Sequence, residues 1–227
     1  MSSDYTPDAI AWDIETAPMP LSVLTQRQRR RLQKEYDEQV RRNPEAGVTE
    51  HVRQAMCFHS FLCWICCASM AWRGPNGEIQ QASKTASKPV EERPILQWLW
   101  RTVSRSVPGR ASMTWVTYNG KNFDARVVRT RSLRNEVPIT NEDLIDEYPY
   151  SYSPHCDIAC LWRDEWNGLA DVADLFGIVY DSQIMGEDVP WAVSEGRTDL
   201  VQEHCEADVE ATLKVYEHVD QFNPEIR

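Results

Sequence analysis

The sequence predicts an α/β domain in which helices flank a mixed central sheet, and the order of its elements carries that prediction. Two strand-like runs precede a Pro/Asn/Gly turn with a polar helical stretch between them, a third strand and apolar positions at helical spacing follow, and one further strand precedes a mostly helical remainder. Neither an internal repeat nor a linker divides the chain, so residues 1–227 are expected to form a single domain. A hydrophobic content of 42% with 9 Trp suffices for a core of that size.

The first strand is AIAWDIETAP, residues 9–18. Alternation puts Ile10, Trp12 and Ile14 on one face and Ala9, Ala11, Asp13 and Glu15 on the other. After Pro18 and Pro20 comes a polar stretch rich in helix formers, ended by Asn43, Pro44 and Gly47. It reads as an Arg-rich helical insertion at about residues 22–46. Its Arg27, Arg29, Arg30, Arg31, Arg41 and Arg42 are interleaved with Glu35, Asp37 and Glu38, so a solvated helix face ranks ahead of a contact with substrate backbone.

Residues 58–72 and 78–83, separated by GPNG, predict a hairpin. The segment VEERPILQWLWRTVSRSV then shows helical spacing through Ile95, Leu96, Leu99, Val103 and Val107, with Pro108 and Gly109 as its stop. SMTWVTYN is a further strand. From Phe123 onward helices alternate with loops, including one through LADVADLFG that Gly177 ends. The last helix is expected from about Asp199 towards His218, with Asp199 as N-cap and Gln202 three residues on.

A net charge of −11 discourages broad electrostatic binding to nucleic acid, which ordinarily leaves a basic footprint. No apolar run reaches the length of a membrane span. The N-terminus lacks a basic segment followed by an apolar one, so no secretory signal and a cytoplasmic location are expected. Seven Cys without a regular framework predict free thiols. Cys57, Cys63, Cys66 and Cys67, with His51 and His59 nearby, make a zinc site conceivable. The CxxC lies in a run of bulky apolar residues, however, where positions three apart face opposite ways, and a core strand is the favoured reading.

Asp13 and Glu15 are the first candidates for chemistry. Two carboxylates held on one face repel, so they either share a proton or bind a cation. Asp124, in TYNGKNFDARVV, opens a helix where an acid is at home near the positive end of the dipole. His204 and Asp208 are four apart in DLVQEHCEADVEATLKVY, on or beside the buried stripe of Leu200, Val201, Cys205, Val209, Leu213 and Tyr216. A carboxylate in such a stripe is costly unless it is paired or holds a metal.

DIET, YNGKNFD and HCEADVEAT resemble, in order and spacing, the three exonuclease motifs of the DEDD superfamily of 3′ to 5′ exonucleases. The resemblance is to predicted exonucleases related to the proofreading domain of family-B DNA polymerases, and HCDIACLW, LADVADLFGI and MGEDVPWAVSEGR are similar to that group as well. It implies a ribonuclease H-like fold and two divalent cations, Mg2+ or Mn2+, held by Asp13, Glu15, Asp124 and Asp208. It implies hydrolysis of single-stranded 3′ ends, DNA ahead of RNA, to 5′-mononucleotides, and it assigns Asn119 and Phe123 to the cleft lining. Phe123 then either stacks on a base or packs in the core. Members of the family carry a Tyr four residues before the final Asp or a His five before it, whereas this chain has His204 at the tyrosine position and Glu203 at the histidine position. An imidazole there can orient or deprotonate the attacking water. The rival readings are a catalytically idle binding module and an endonuclease of the same fold.

Overall fold

The segment AIAWDIETAP forms β1, Ala9–Pro18, the central strand of a five-stranded sheet in a computed structural model that describes residues 6–162, 165, 167–223 and 226. On one side β1 pairs antiparallel with β2, Cys63–Arg73, which pairs antiparallel with the edge strand β3, Ile79–Thr85. On the other side it runs parallel to β4, Thr114–Thr117, which runs parallel to β5, His155–Asp157. The order is β3-β2-β1-β4-β5, a mixed sheet as expected.

Between β1 and β2 the chain leaves the sheet as two packed helices, α1 (Gln26–Arg42) and α2 (Val48–Cys57). Thr25 caps α1 reciprocally with Gln28. One face of the sheet is covered by α3, Glu92–Val103, and α4, Asp124–Arg134, over a core that includes Ile10, Trp12 and Ile14. The other is covered by α5, Leu169–Leu175, and α7, Thr198–Phe222, over Ala11, Ala71 and Val116. The short helix α6, Val189–Ser194, packs against β1 and α7. The alternation read from the sequence is therefore the real one: Asp13 and Glu15 share the face of Ala11, towards α7. No described helix is long and apolar enough to cross a membrane.

Several boundaries differ from those expected. Residues 58–62 belong to the turn after α2, and the hairpin strand begins at Cys63. The α2 helix itself has no counterpart in the expected elements. It is held by Met56, which joins Leu24 and Leu62 in a small apolar cluster of its own. The α3 helix ends at Val103, ahead of Pro108, because side chains from a distant loop take its last carbonyls: Thr140 Oγ1 donates to Trp100 O at 2.7 Å and Asn141 Nδ2 to Val103 O at 2.9 Å. Asp199 is not the N-cap of α7. Arg197 holds that position, and its guanidinium binds the Asp199 carboxylate. The helix runs on to Phe222, past His218. Cys63, Cys66 and Cys67 are wholly buried in β2, as the core-strand reading expects.

The α4 helix is tied to the sheet by one buried ion pair. Glu92 Oε1 accepts from the Ile65 amide and from Arg131 Nε, both at 2.8 Å, while its Oε2 accepts from Arg131 Nη2 at 2.7 Å and Asn135 Nδ2 at 2.8 Å. Burial of two charges is tolerated only when their hydrogen bonds are satisfied in this way. Replacing Arg131 by Met should cost about 3–5 kcal/mol, because it strands the Glu92 carboxylate in the core. Equilibrium denaturant unfolding measures it, and a loss below about 1 kcal/mol would show that the pair does not anchor α4.

Candidate active site

The parallel ladder between β1 and β4 covers only Ala9–Ala11 of β1, so the later residues of that strand have no β4 partner. The first residue of α4 fills the gap: Asp124 Oδ1 accepts the Ile14 amide at 3.2 Å. Its place depends on the loop between β4 and α4. Asn119 adopts a left-handed conformation, φ 64°, and a Cβ on Gly120 would lie 2.5 Å from Thr117 side-chain atoms, so only glycine fits there. Asp157, at the end of β5, accepts the Asn119 and Lys121 amides at 2.7 and 2.9 Å and the Ala159 amide at 3.2 Å. Inside the loop's outer flank, the buried Lys121 ammonium donates to Tyr148 O and Ser151 O.

From α7 come the remaining groups. Cys205 Sγ lies 3.4 Å from Asp13 Oδ2, and His204 stands between two acids, with Nε2 3.5 Å from Glu15 Oε1 and Nδ1 3.8 Å from Asp208 Oδ1. Ser182 Oγ donates to Ile184 O at 2.7 Å and lies 2.9 Å from His204 Nδ1. Since the serine has one proton and Ile184 takes it, Nδ1 is the donor in the second bond, which leaves the Nε2 lone pair facing Glu15. Tyr180 completes the wall, its hydroxyl donating to Asp208 Oδ1 at 2.6 Å.

Asp13, Glu15, Asp124, His204 and Asp208 are thus brought to one place by β1, α4 and α7. Ligand atoms of Asp13, Glu15 and Cys205 lie within 4.8 Å of one another, as do those of Glu15, His204 and Asp208. Burial, and then the charges of Asp124 and Asp208, raise the Asp13 carboxyl well above its ordinary pKa, and burial with Asp13 and Asp208 does the same for Glu15. Burial also pushes Asp124 up to about 7, against the pull of the Ile14 amide. Asp208 is raised by burial, with His204 and the Tyr180 hydroxyl acting the other way. Such a set of oxygen donors fits hard divalent cations, which would remove the repulsion.

Asn119 and Phe123 line two hollows that flank the acids. Phe123 shares a cleft of about 260 Å³ with Glu15, Phe58 and Gly186, and its ring meets Phe58 edge-on at 5.9 Å. Asn119 shares a cleft of about 560 Å³ with Asp208, Tyr118 and Trp162. Sequence reasoning missed Tyr180, Ser182 and Asp157. The first two lie in a coil without periodicity; the third ends a three-residue strand within HCDIACLW, a segment noted only for its resemblance and without a role for Asp157.

The family described as predicted 3′-5′ exonucleases related to the exonuclease domain of PolB matches residues 56–227. The structure is similar to that of a family B DNA polymerase from the archaeon Pyrobaculum calidifontis, with TM-score 0.60 and 15% identity over 96% of this chain and 25% of that one. It is also similar to E. coli exonuclease I in complex with a dT13 oligonucleotide, with TM-score 0.49 and 13% identity over 95% of this chain and 41% of that one. This chain therefore spans less than half the length of either protein. No curated protein matches it. The fold is of the ribonuclease H-like exonuclease type, a five-stranded mixed sheet flanked by helices.

The raised carboxyls make stability depend on pH. Asp124 moves from an ordinary 3.8 to about 7, so the folded protein keeps a proton that the unfolded chain releases between those values. That contribution is complete below the lower value and is lost as pH rises through the upper one. Without divalent cation, Tm should fall between about pH 5 and about pH 8, and Mn2+ should raise it more at the alkaline end. Thermal melts in chelator and in Mn2+ check this; a flat profile, or an equal Mn2+ effect throughout, would contradict the crowding of the acids.

Proposed function

Because this chain belongs to the predicted 3′-5′ exonucleases related to the exonuclease domain of PolB, we propose that it acts as one exonuclease domain, residues 1–227. In this reading it removes 5′-mononucleotides from the 3′ ends of single-stranded nucleic acid, DNA ahead of RNA. The observation that carries the reading is the convergence of Asp13, Glu15, Asp124 and Asp208, all raised by burial, beside His204.

Those four carboxylates would hold two divalent cations, Mg2+ or Mn2+, which when bound neutralise the developing charge on the oxygens of an in-line displacement at phosphorus. The chain's own groups do the rest. Tyr180 holds Oδ1 of Asp208, the oxygen 3.8 Å from His204 Nδ1, which fixes the rotamer of that carboxylate beside the site. Ser182 fixes the His204 ring through Nδ1, so Nε2 is the atom that takes a proton from the attacking water. The Phe123 ring, edge-on to Phe58, offers its exposed side to the terminal base, and Asn119 lies across the acids in the opposite hollow.

Asp13→Asn should abolish release of mononucleotides from an end-labelled single strand while leaving the circular dichroism spectrum unchanged. Near-normal activity in that variant would remove the acids from the reaction. A circular single strand should stay intact, since the proposed enzyme needs an end; its cleavage would make the protein an endonuclease. His204→Ala should lose activity by a factor on the order of 100, the usual contribution of a positioned base. If the alanine variant keeps the wild-type rate, His204 only packs α7 against β1.

A further inference from the structure

The first half of α1 carries a charge pattern that the fold does not explain. Arg27, Arg30, Arg31 and Lys34 stand at i, i+3, i+4 and i+7, on one face of the helix, and all are exposed. No acid lies in the first turn, and Glu35, Asp37 and Glu38 all fall in the second half. A cation in the first turn opposes the helix dipole, and Arg27 stands there without an acid beside it in that turn. Arg29 is different: its guanidinium is bound to the carbonyls of Leu24 and Leu21.

That basic face leads to the catalytic cleft through a run of aromatic rings. Arg31 Nε lies 3.0 Å from His59 Nε2, and its guanidinium also meets Glu35 at 2.7 Å. The His59 ring lies 5.5 Å from Phe61, which is 60% exposed. Its chain neighbour Phe58, 70% exposed, reaches Phe123 and lines the same hollow as Glu15. Exposed Arg126, two residues beyond Asp124, lies within electrostatic reach of His59: partial burial first, and then Arg31 and Arg126, lower its pKa from the ordinary value. Large exposed rings beside guanidiniums are the means by which proteins hold single strands without reading their sequence, rings stacking on bases and cations meeting phosphates.

Resting on the exonuclease reading, we infer that Phe58, Phe61 and the basic face of α1 form a track that holds the single strand upstream of the 3′ end in the acid cleft. Its occupant is a single-stranded polynucleotide, by charge complementarity and by continuity with the cleft. In a chain of net charge −11 such a local patch also gives the strand a place to land. The basic face belongs to α1, outside the residues that match the exonuclease family, whereas Phe58 and Phe61 lie within them.

Binding of a fluorescent oligonucleotide of about twelve residues, followed by anisotropy across a salt series, tests the track; stacking and charge contribute on the scale this method resolves. Phe61→Ala should weaken binding about 5-fold or more, the lower end of one lost stacking contact. The double variant Arg27→Ala, Arg30→Ala should reduce the slope of log K against log salt by about 0.7 per arginine. Both should hydrolyse a dinucleotide, too short to reach the track, at the wild-type rate. Wild-type affinity and slope in these variants would overturn the inference, as would equal affinity for a duplex. An inactive wild-type protein that still binds the strand in this pattern would instead remove the exonuclease reading and leave the track standing.

Discussion

Four carboxyl groups held together out of water are the constraint around which this structure is arranged. Glu15 and Asp124 are almost wholly buried, Asp13 lies against α7, Asp208 projects from α7, and each raises or is raised by its neighbours. In the absence of cations the fold tolerates them by letting protons stay on and by giving three of them a hydrogen-bond partner: the Ile14 amide for Asp124, the Cys205 thiol for Asp13, the Tyr180 hydroxyl for Asp208. Each partner sits on a different element, so the acids cannot spread without disturbing β1, α7 or the coil before α6. A site whose stability cost is removed by a ligand is poised to bind that ligand.

The sheet supplies the opening in which this can happen. Because β4 pairs with β1 over so short a stretch, the later half of β1 keeps an uncovered edge at the carboxyl ends of the parallel strands. The start of α4 is drawn into it, and Asp157 fixes the loop that delivers it by accepting three amides. Farther along α4, the Glu92–Arg131 pair holds the helix to β2 and α3. The helix that offers Asp124 is thus pinned at both ends by buried polar groups, which gives the acid a defined position where a loop would leave it mobile.

The parts of this arrangement that follow a short-range rule were legible in the sequence. Alternation in β1 put Asp13 and Glu15 on one face, and helical spacing put His204 beside Asp208, because both rules act within a few residues. The groups that orient them were not legible. Tyr180 and Ser182 reach α7 from an irregular segment, and Asp157 serves a loop 36 residues earlier in the chain, so only the folded chain shows them. The same division holds for the fold. The early end of α3 depends on Thr140 and Asn141, far beyond its own window, and α2 is held by an apolar cluster shared with Leu24 and Leu62. The arginines of α1 were legible as residues, yet the exposed basic face of its first half gains meaning only from the position of His59 and the two exposed phenylalanines.

The most direct measurement of the central claim is the number of protons released when Mn2+ binds, obtained by calorimetry in buffers of different ionisation enthalpy. At about pH 6, below the value of about 7 to which Asp124 is raised, cation binding should release at least one proton per chain, with two cations taken up. Replacing Asp13 by Asn should reduce both numbers. Binding without proton release, or no binding at all, would contradict the account, because the buried acids would then be neither protonated by their crowding nor arranged to hold metal.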